Sequence, residues 1–117
     1  MSEQSPMKLI DTHHHIWKPQ TLPYTWLRQI GKPKTFGDPT AIQRNYLPKD
    51  YLQDFTEAKD FELVGTVHVQ ADSALPEPVK ETNWLDQLNS SIPSGIVGFA
   101  DLSKDNLREI LRENCNS

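Results

Sequence analysis

The chain predicts an α/β fold built from three strand-helix units, and three observations carry that prediction. Phe61 to Gln70 and Ile96 to Leu102 are short runs that are apolar on both faces, as strands of a helix-covered parallel sheet are. Between and after them lie stretches whose apolar residues recur at helical spacing. The resulting order is β-α-β-α-β-α, and the right-handed crossover rule then makes the strands parallel neighbours in one sheet. From the residues alone this is a three-stranded α/β unit, with a small doubly wound domain as one form of it.

The first strand is Lys8 to Trp17, KLIDTHHHIW. As a strand it puts Asp11, His13 and His15 on one face and His14 on the other. Two imidazoles at i and i+2 near a strand end are close enough to share one divalent cation, since each nitrogen has to come within about 2.1 Å of the metal. A catalytic cation takes at least three protein ligands and keeps a position for water, so His13 and His15 make half of a site. The competing reading is a packed, hydrogen-bonded histidine pair without metal. A purification tag is excluded, because the histidines lie inside a strand pattern and run on into Ile16 and Trp17. Asp11 is either an acceptor behind a histidine ring or an ordinary buried, hydrogen-bonded aspartate.

Ile16 to Tyr46 is a long connection broken by Pro19, Pro23, Gly31, Pro33, Gly37 and Pro39, with room for a helical turn or two over Tyr24 to Ile30. Long loops in compact domains are usually functional. Trp17, Tyr24 and Trp26 are therefore candidates for an aromatic wall in contact with substrate; equally, the rings serve to pin the loop. Arg28, Lys32, Lys34 and Arg44 give the loop a basic bias suited to a carboxylate-bearing or polyhydroxylated substrate.

From Leu47 the pattern is helical, with Pro48 at the first helical position and Tyr51, Leu52, Phe55 and Ala58 on one stripe, ending near Lys59 or Asp60. On the second strand, His68 and Gln70 share a parity that lets both face a common interior. His68 reads as a satisfied core histidine, and Gln70, at the strand end, as a candidate amide for a substrate oxygen. Val79 to Asn89 forms the next helix, with Trp84, Leu85 and Leu88 on its apolar side. After the third strand, Ser103 is the expected N-cap of a helix through Leu107, Ile110 and Leu111. Asp101 stands at a strand end, where it either approaches the pocket or serves a turn.

The formal charge of −4 and the pI near 5.5 give no electrostatic reason to expect nucleic acid or an anionic membrane as partner. Three Trp, three Tyr and four Phe argue against wholesale disorder. The single Cys115 excludes an internal disulfide and reads as an incidental thiol. No apolar run is long enough for a membrane span or a signal segment, so the expected compartment is the cytoplasm. Internal repeats, a glycine-rich phosphate loop, a CxxC pair and a nucleophile elbow are all absent.

The pattern Asp-x-His-x-His-x-Trp, here Asp11, His13, His15 and Trp17, resembles the first-strand signature of the amidohydrolase superfamily. Within it, the chain is most similar to the amidohydrolase-related branch of metal-dependent TIM-barrel hydrolases that includes sugar lactonases. The resemblance continues in order through Tyr24 to Leu27, Asn45 to Tyr51, Val64 to Ala71 and Ile96 to Leu102, which is nearly the whole chain after Met7. It implies a partial (β/α)8 TIM barrel, with residues 1–7 a disordered lead and residues 8–117 the N-terminal part. A complete barrel typically needs about 250 residues.

The resemblance further implies that His13 and His15 ligate a divalent ion, zinc being the expected one, although some members of the branch work without metal. The implied reaction is hydrolysis of a lactone or related carboxyl derivative by metal-activated water, with a small-molecule substrate. The family's remaining histidines and its last-strand aspartate match nothing here. The general base is therefore expected outside this chain, and the isolated 117-residue chain is expected to be inactive. The alternatives are a non-catalytic metal-binding module, one that self-associates through exposed sheet edges, or an inert remnant.

Overall fold

Three parallel strands form one sheet in the order β1-β2-β3: β1 is Met7–His14, β2 Phe61–Val69 and β3 Gly95–Val97. Among the described residues, the helices α1 at Pro48–Phe55, α2 at Val79–Gln87 and α3 at Leu107–Cys115 alternate with them, with a short 3-10 turn at Thr40–Ile42 before α1. This is the α/β architecture expected, a partial run of strand-helix repeats. The computed structural model describes residues 5–19, 24, 27, 37–71 and 79–115. β1 takes in Met7, whose N–H donates to the Asp60 carbonyl at 2.9 Å.

The element ends show which local forces win. Pro48 starts α1, and the Asp50 carboxylate accepts the Leu47 N–H at 2.9 Å, occupying a donor that the first turn leaves free. α1 stops at Phe55, short of the expected Lys59 or Asp60, because the N–H and hydroxyl of Thr56 both turn back onto the Gln53 carbonyl. α2 gives way at Asn89, which takes the left-handed conformation (φ 50°) common just past a helix end.

Two expectations near the C-terminal end are corrected. β3 covers only Gly95–Val97 and not Ile96 to Leu102. Its last ladder bond runs from the Gln70 N–H to the Val97 carbonyl at 2.8 Å, and beyond that the apolar run has no strand to pair with, leaving Phe99 and Leu102 exposed. Ser103 is not the N-cap of the last helix. Its N–H and hydroxyl both donate to Asp101 Oδ1, making a side-chain turn, and α3 begins four residues later at Leu107.

The core gathers at the C-terminal ends of the strands. Ile16, Leu85 and Ile92 form one buried cluster, with Tyr51, Leu88 and Ile96 packed against it. Trp17, Tyr24, Leu27 and Ala71 form the other, and Trp84 of α2 touches both. Between them runs a buried polar connection. His68 is fully buried; its Nδ1 accepts the Ile16 N–H at 3.1 Å, and its Nε2 lies 2.9 Å from Glu81 Oε1 on α2. The same carboxylate accepts the Ala71 N–H at 3.1 Å.

Glu81→Ala would leave the His68 ring N–H buried without its acceptor. At about 1–3 kcal/mol for such an orphaned donor, urea unfolding is expected to show a loss of at least about that size, with Glu81→Gln retaining part of it.

Candidate active site

The pairing of β1 with β2 is bulged twice. Leu9 pairs with Leu63 but Ile10 with Gly65, so β2 carries an extra residue there; Asp11 pairs with Thr66 and His14 with His68, so β1 carries the next one. The second bulge restores the register lost at the first. It also changes which side chains share a side. Asp11 Oδ2 accepts the Tyr51 hydroxyl of α1 at 2.7 Å, and the His14 ring lies 4.9 Å from the Tyr51 ring. Asp11 therefore groups with His14, not with His13 and His15 as strict alternation predicts. Its other oxygen accepts the His13 backbone N–H at 3.1 Å, so it supports the bulge and not a histidine ring.

Each of the three consecutive histidines meets a different environment. The His13 ring is exposed and stands edge-on to the His15 ring, their centroids 5.2 Å apart. His15 is half-buried, stacked near Trp17 at 6.1 Å, and its Nδ1 lies 2.8 Å from the Val69 carbonyl. A carbonyl only accepts, so Nδ1 carries the proton and Nε2 presents a lone pair. His14 is 7% exposed, and neither of its ring nitrogens has a hydrogen-bond partner among the described residues. Burial, reinforced by the neighbouring His68, pushes its pKa down, which favours the neutral ring.

His68 belongs to the frame and not to the ligand set. Its Nδ1 lone pair is taken by Ile16, and its Nε2–H by Glu81. The interior-facing alternative for His68 is thereby overturned, since the ring is tied to α2. Among the described residues no three His, Cys, Asp or Glu side chains gather as a metal-binding group.

The other candidate residues divide. Trp17 is buried, donates its indole N–H to the Arg44 carbonyl at 3.0 Å, and lines a cavity of about 310 Å3 together with His14, His15, Arg44, Tyr46 and Tyr51. Trp17 and Tyr46 exchange both backbone hydrogen bonds at 2.9 Å, which closes the base of the long loop. Tyr24 is completely buried in the same cluster as Trp17. Burial, reinforced by the neighbouring Glu81 carboxylate, raises its phenol pKa. Trp26, with Arg28, Lys32 and Lys34, lies outside the described residues. Gln70 is half-buried at the end of β2 and is not among the residues lining that cavity.

Three residues of the site carry no functional signal in the sequence. Tyr51 reads as part of an amphipathic stripe, Glu81 as a first-turn acid of the kind usually solvated, and Tyr46 as the end of a loop. Burial and the Asp54 carboxylate, which accepts the Tyr46 hydroxyl at 2.6 Å, push the Tyr46 phenol up to about 12. Burial and the bond to Asp11 raise Tyr51 in the same way.

This architecture is part of an amidohydrolase-like fold. The solved structure of amidohydrolase 2 from Bifidobacterium longum subsp. infantis matches it with a TM-score of 0.60 over 77% of this chain and 31% of that one, at 21% identity, a likeness of fold. In sequence the chain is 40% identical over 111 residues to uncharacterized protein y4mH of Sinorhizobium fredii (strain NBRC 101917 / NGR234). That match covers 93% of this chain but 36% of the relative, so the chain spans about a third of the relative's length. No family model matches the sequence. Among the described residues no helix is long and apolar enough to cross a membrane.

Burial alone would raise the Asp11 pKa, but the bonds from Tyr51 and from the His13 N–H outweigh it and hold the carboxyl below its ordinary 3.8. A depressed carboxyl pKa contributes stability that is fully present above the unfolded value and is lost as pH falls through the folded one. Tyr51→Phe is therefore expected to cost about 1 kcal/mol at neutral pH, the pair being partly solvated. It should also narrow the gap between urea midpoints at neutral pH and at about pH 3.

Proposed function

We propose that this chain supplies the first-strand part of the site of a metal-dependent hydrolase acting on a lactone or related carboxyl-derived bond. The observation that carries the reading is the His13–His15 pair at the C-terminal end of β1. Two imidazoles on one tetrahedral ion, each nitrogen about 2.1 Å from it, have ring centres roughly 5 Å apart; here the centroids are 5.2 Å apart. His15 is also prepared as a ligand, because the Val69 carbonyl fixes the proton on Nδ1 and leaves Nε2 free. The likeness of fold to amidohydrolase 2 supports the same reading.

When bound, a divalent ion of the zinc type polarises a carbonyl oxygen and lowers the pKa of its water from about 15.7 towards 7. The chain's own residues hold and orient. Val69 fixes the His15 tautomer, the Asp11–Tyr51 bond supports the bulge that sets His13, and Trp17 stacks near His15. A proton acceptor for the attacking water, and further ligands, belong to the rest of a barrel carried by a longer polypeptide.

Zinc titration of the chain by calorimetry is expected to find one ion per chain, with His13→Ala and His15→Ala each weakening it by more than about tenfold. The native product is expected to have whole-barrel size, about 250 residues or more. Hydrolysis of sugar lactones by that product should be suppressed by chelation. Zinc uptake indifferent to both substitutions would remove the reading.

Self-association is the second reading, favoured by exposed apolar side chains on the sheet and its edges: Ile10 at 59%, Val64 at 56% and Val97 at 51%. Sedimentation equilibrium is then expected to show a metal-independent dimer or larger species; a stable monomer excludes it.

A further inference from the structure

His15, the more buried of the two candidate ligands, is held at three points, and all three lead back to one carboxylate. Its ring Nδ1 donates to the Val69 carbonyl at 2.8 Å. The next residue, Ile16, gives its N–H to His68 Nδ1 at 3.1 Å. The His68 ring also stands edge-on to the His15 ring, their centroids 6.2 Å apart.

Glu81 on α2 stands behind these contacts. Its Oε1 lies 2.9 Å from His68 Nε2 and accepts the Ala71 N–H at 3.1 Å, with Oε2 3.3 Å from the same nitrogen. Val69 sits between the two anchored residues, so the carbonyl that receives the His15 proton is fixed from both sides. His68 is 0% and Glu81 4% exposed, and bulk water does not replace either bond.

The chemistry runs in one direction. A carboxylate only accepts, so it requires the proton on His68 Nε2 and leaves Nδ1 as the lone pair that the Ile16 N–H needs. An amide at position 81 both donates and accepts, which removes the requirement. With its proton on Nδ1, His68 would face the Ile16 N–H donor to donor.

We propose that Glu81 is a positioning residue for the candidate metal site: through His68 and the backbone of residues 69–71 it sets the tautomer and placement of His15 without touching the ion. The assignment rests on the metal-dependent reading and extends it to a residue on another element. Groups that orient a ligating histidine typically change metal affinity about 10–100-fold when altered.

The test compares the chain with Glu81→Gln and with Ile110→Ala, a cavity-forming change at a buried α3 position that belongs to neither core cluster at the site. Long-range 1H–15N correlation spectra in EDTA, at alkaline pH where imidazoles are neutral, report the tautomers. The unaltered chain is expected to show His68 as Nε2–H and His15 as Nδ1–H. In Glu81→Gln the Nδ1–H form of His68 should appear, the Nδ1–H population of His15 should fall, and zinc affinity by calorimetry should drop at least about tenfold. Ile110→Ala should lower the urea midpoint but leave both tautomers and the zinc affinity unchanged. Should Glu81→Gln not fold, Glu81→Asp, which withdraws the carboxylate by one carbon, is held to the same criteria for His15 and for zinc. An unaltered His15 tautomer in the position-81 variant, an equal change in Ile110→Ala, or a smaller loss of zinc affinity would overturn the assignment. If the unaltered chain takes up no zinc, the metal-dependent reading fails, and the tautomers measured in EDTA still decide whether Glu81 positions His15.

Discussion

The hydrogen-bonded connection from Ile16 through His68 to Glu81 is the constraint on which the rest of the structure depends. It joins three things that the sheet alone does not: the residue just past β1, the second strand, and the helix α2. Its chemistry leaves no slack. The Ile16 N–H must be accepted, so His68 Nδ1 is unprotonated; Nε2 must then carry the proton, and a buried N–H requires the Glu81 carboxylate. Glu81 also takes the Ala71 N–H, fixing the chain as it leaves β2. Since Ile16 follows His15 directly, this buried frame sets where the candidate ligand stands.

A polar connection of this kind is costly to desolvate and contributes less net stability than its distances imply. What it supplies is definition. A purely apolar contact between β1 and α2 would tolerate a slip of the strand, whereas a bond from one backbone N–H to one ring nitrogen does not. The definition matters most where β1 is irregular. The bulge between Asp11 and His14 breaks the alternation of side chains, and the strand end is trapped between two specific partners, Tyr51 on one side through Asp11 and His68 on the other through Ile16.

The strands, the helices and their order were legible because each rests on a local pattern: apolar runs of strand length, helical spacing, and Pro48 at a helix start. Boundaries were less so. Ile96 to Leu102 has strand composition throughout, but a ladder needs a neighbour, and only the part reaching β2 pairs. Ser103 has the chemistry of an N-cap, yet Asp101 two residues earlier captures both of its donors. At the site, the spacing of His13 and His15 showed directly that two rings would be neighbours. The bulge had no sequence signal, and neither did the partners of Asp11, His14 and His68, because Tyr51 and Glu81 lie 40 and 13 residues away on other elements. Only the folded chain brings them together.

The same logic separates what is fixed in this site from what is free to vary. The long connection after β1 leaves from Trp17 and returns at Tyr46, and these two residues are clamped by a reciprocal pair of backbone bonds, with the Trp17 indole held by Arg44. The connection is not free of the core, however: Tyr24 and Leu27 within it are buried with Trp17 and Ala71, and Tyr24 lies near the Glu81 carboxylate. The clamp at Trp17 and Tyr46 and these buried side chains together tie the start of the connection to the same frame that sets His15, so changes at its buried positions reach the histidine pair while changes at exposed ones such as Arg44 do not repack it.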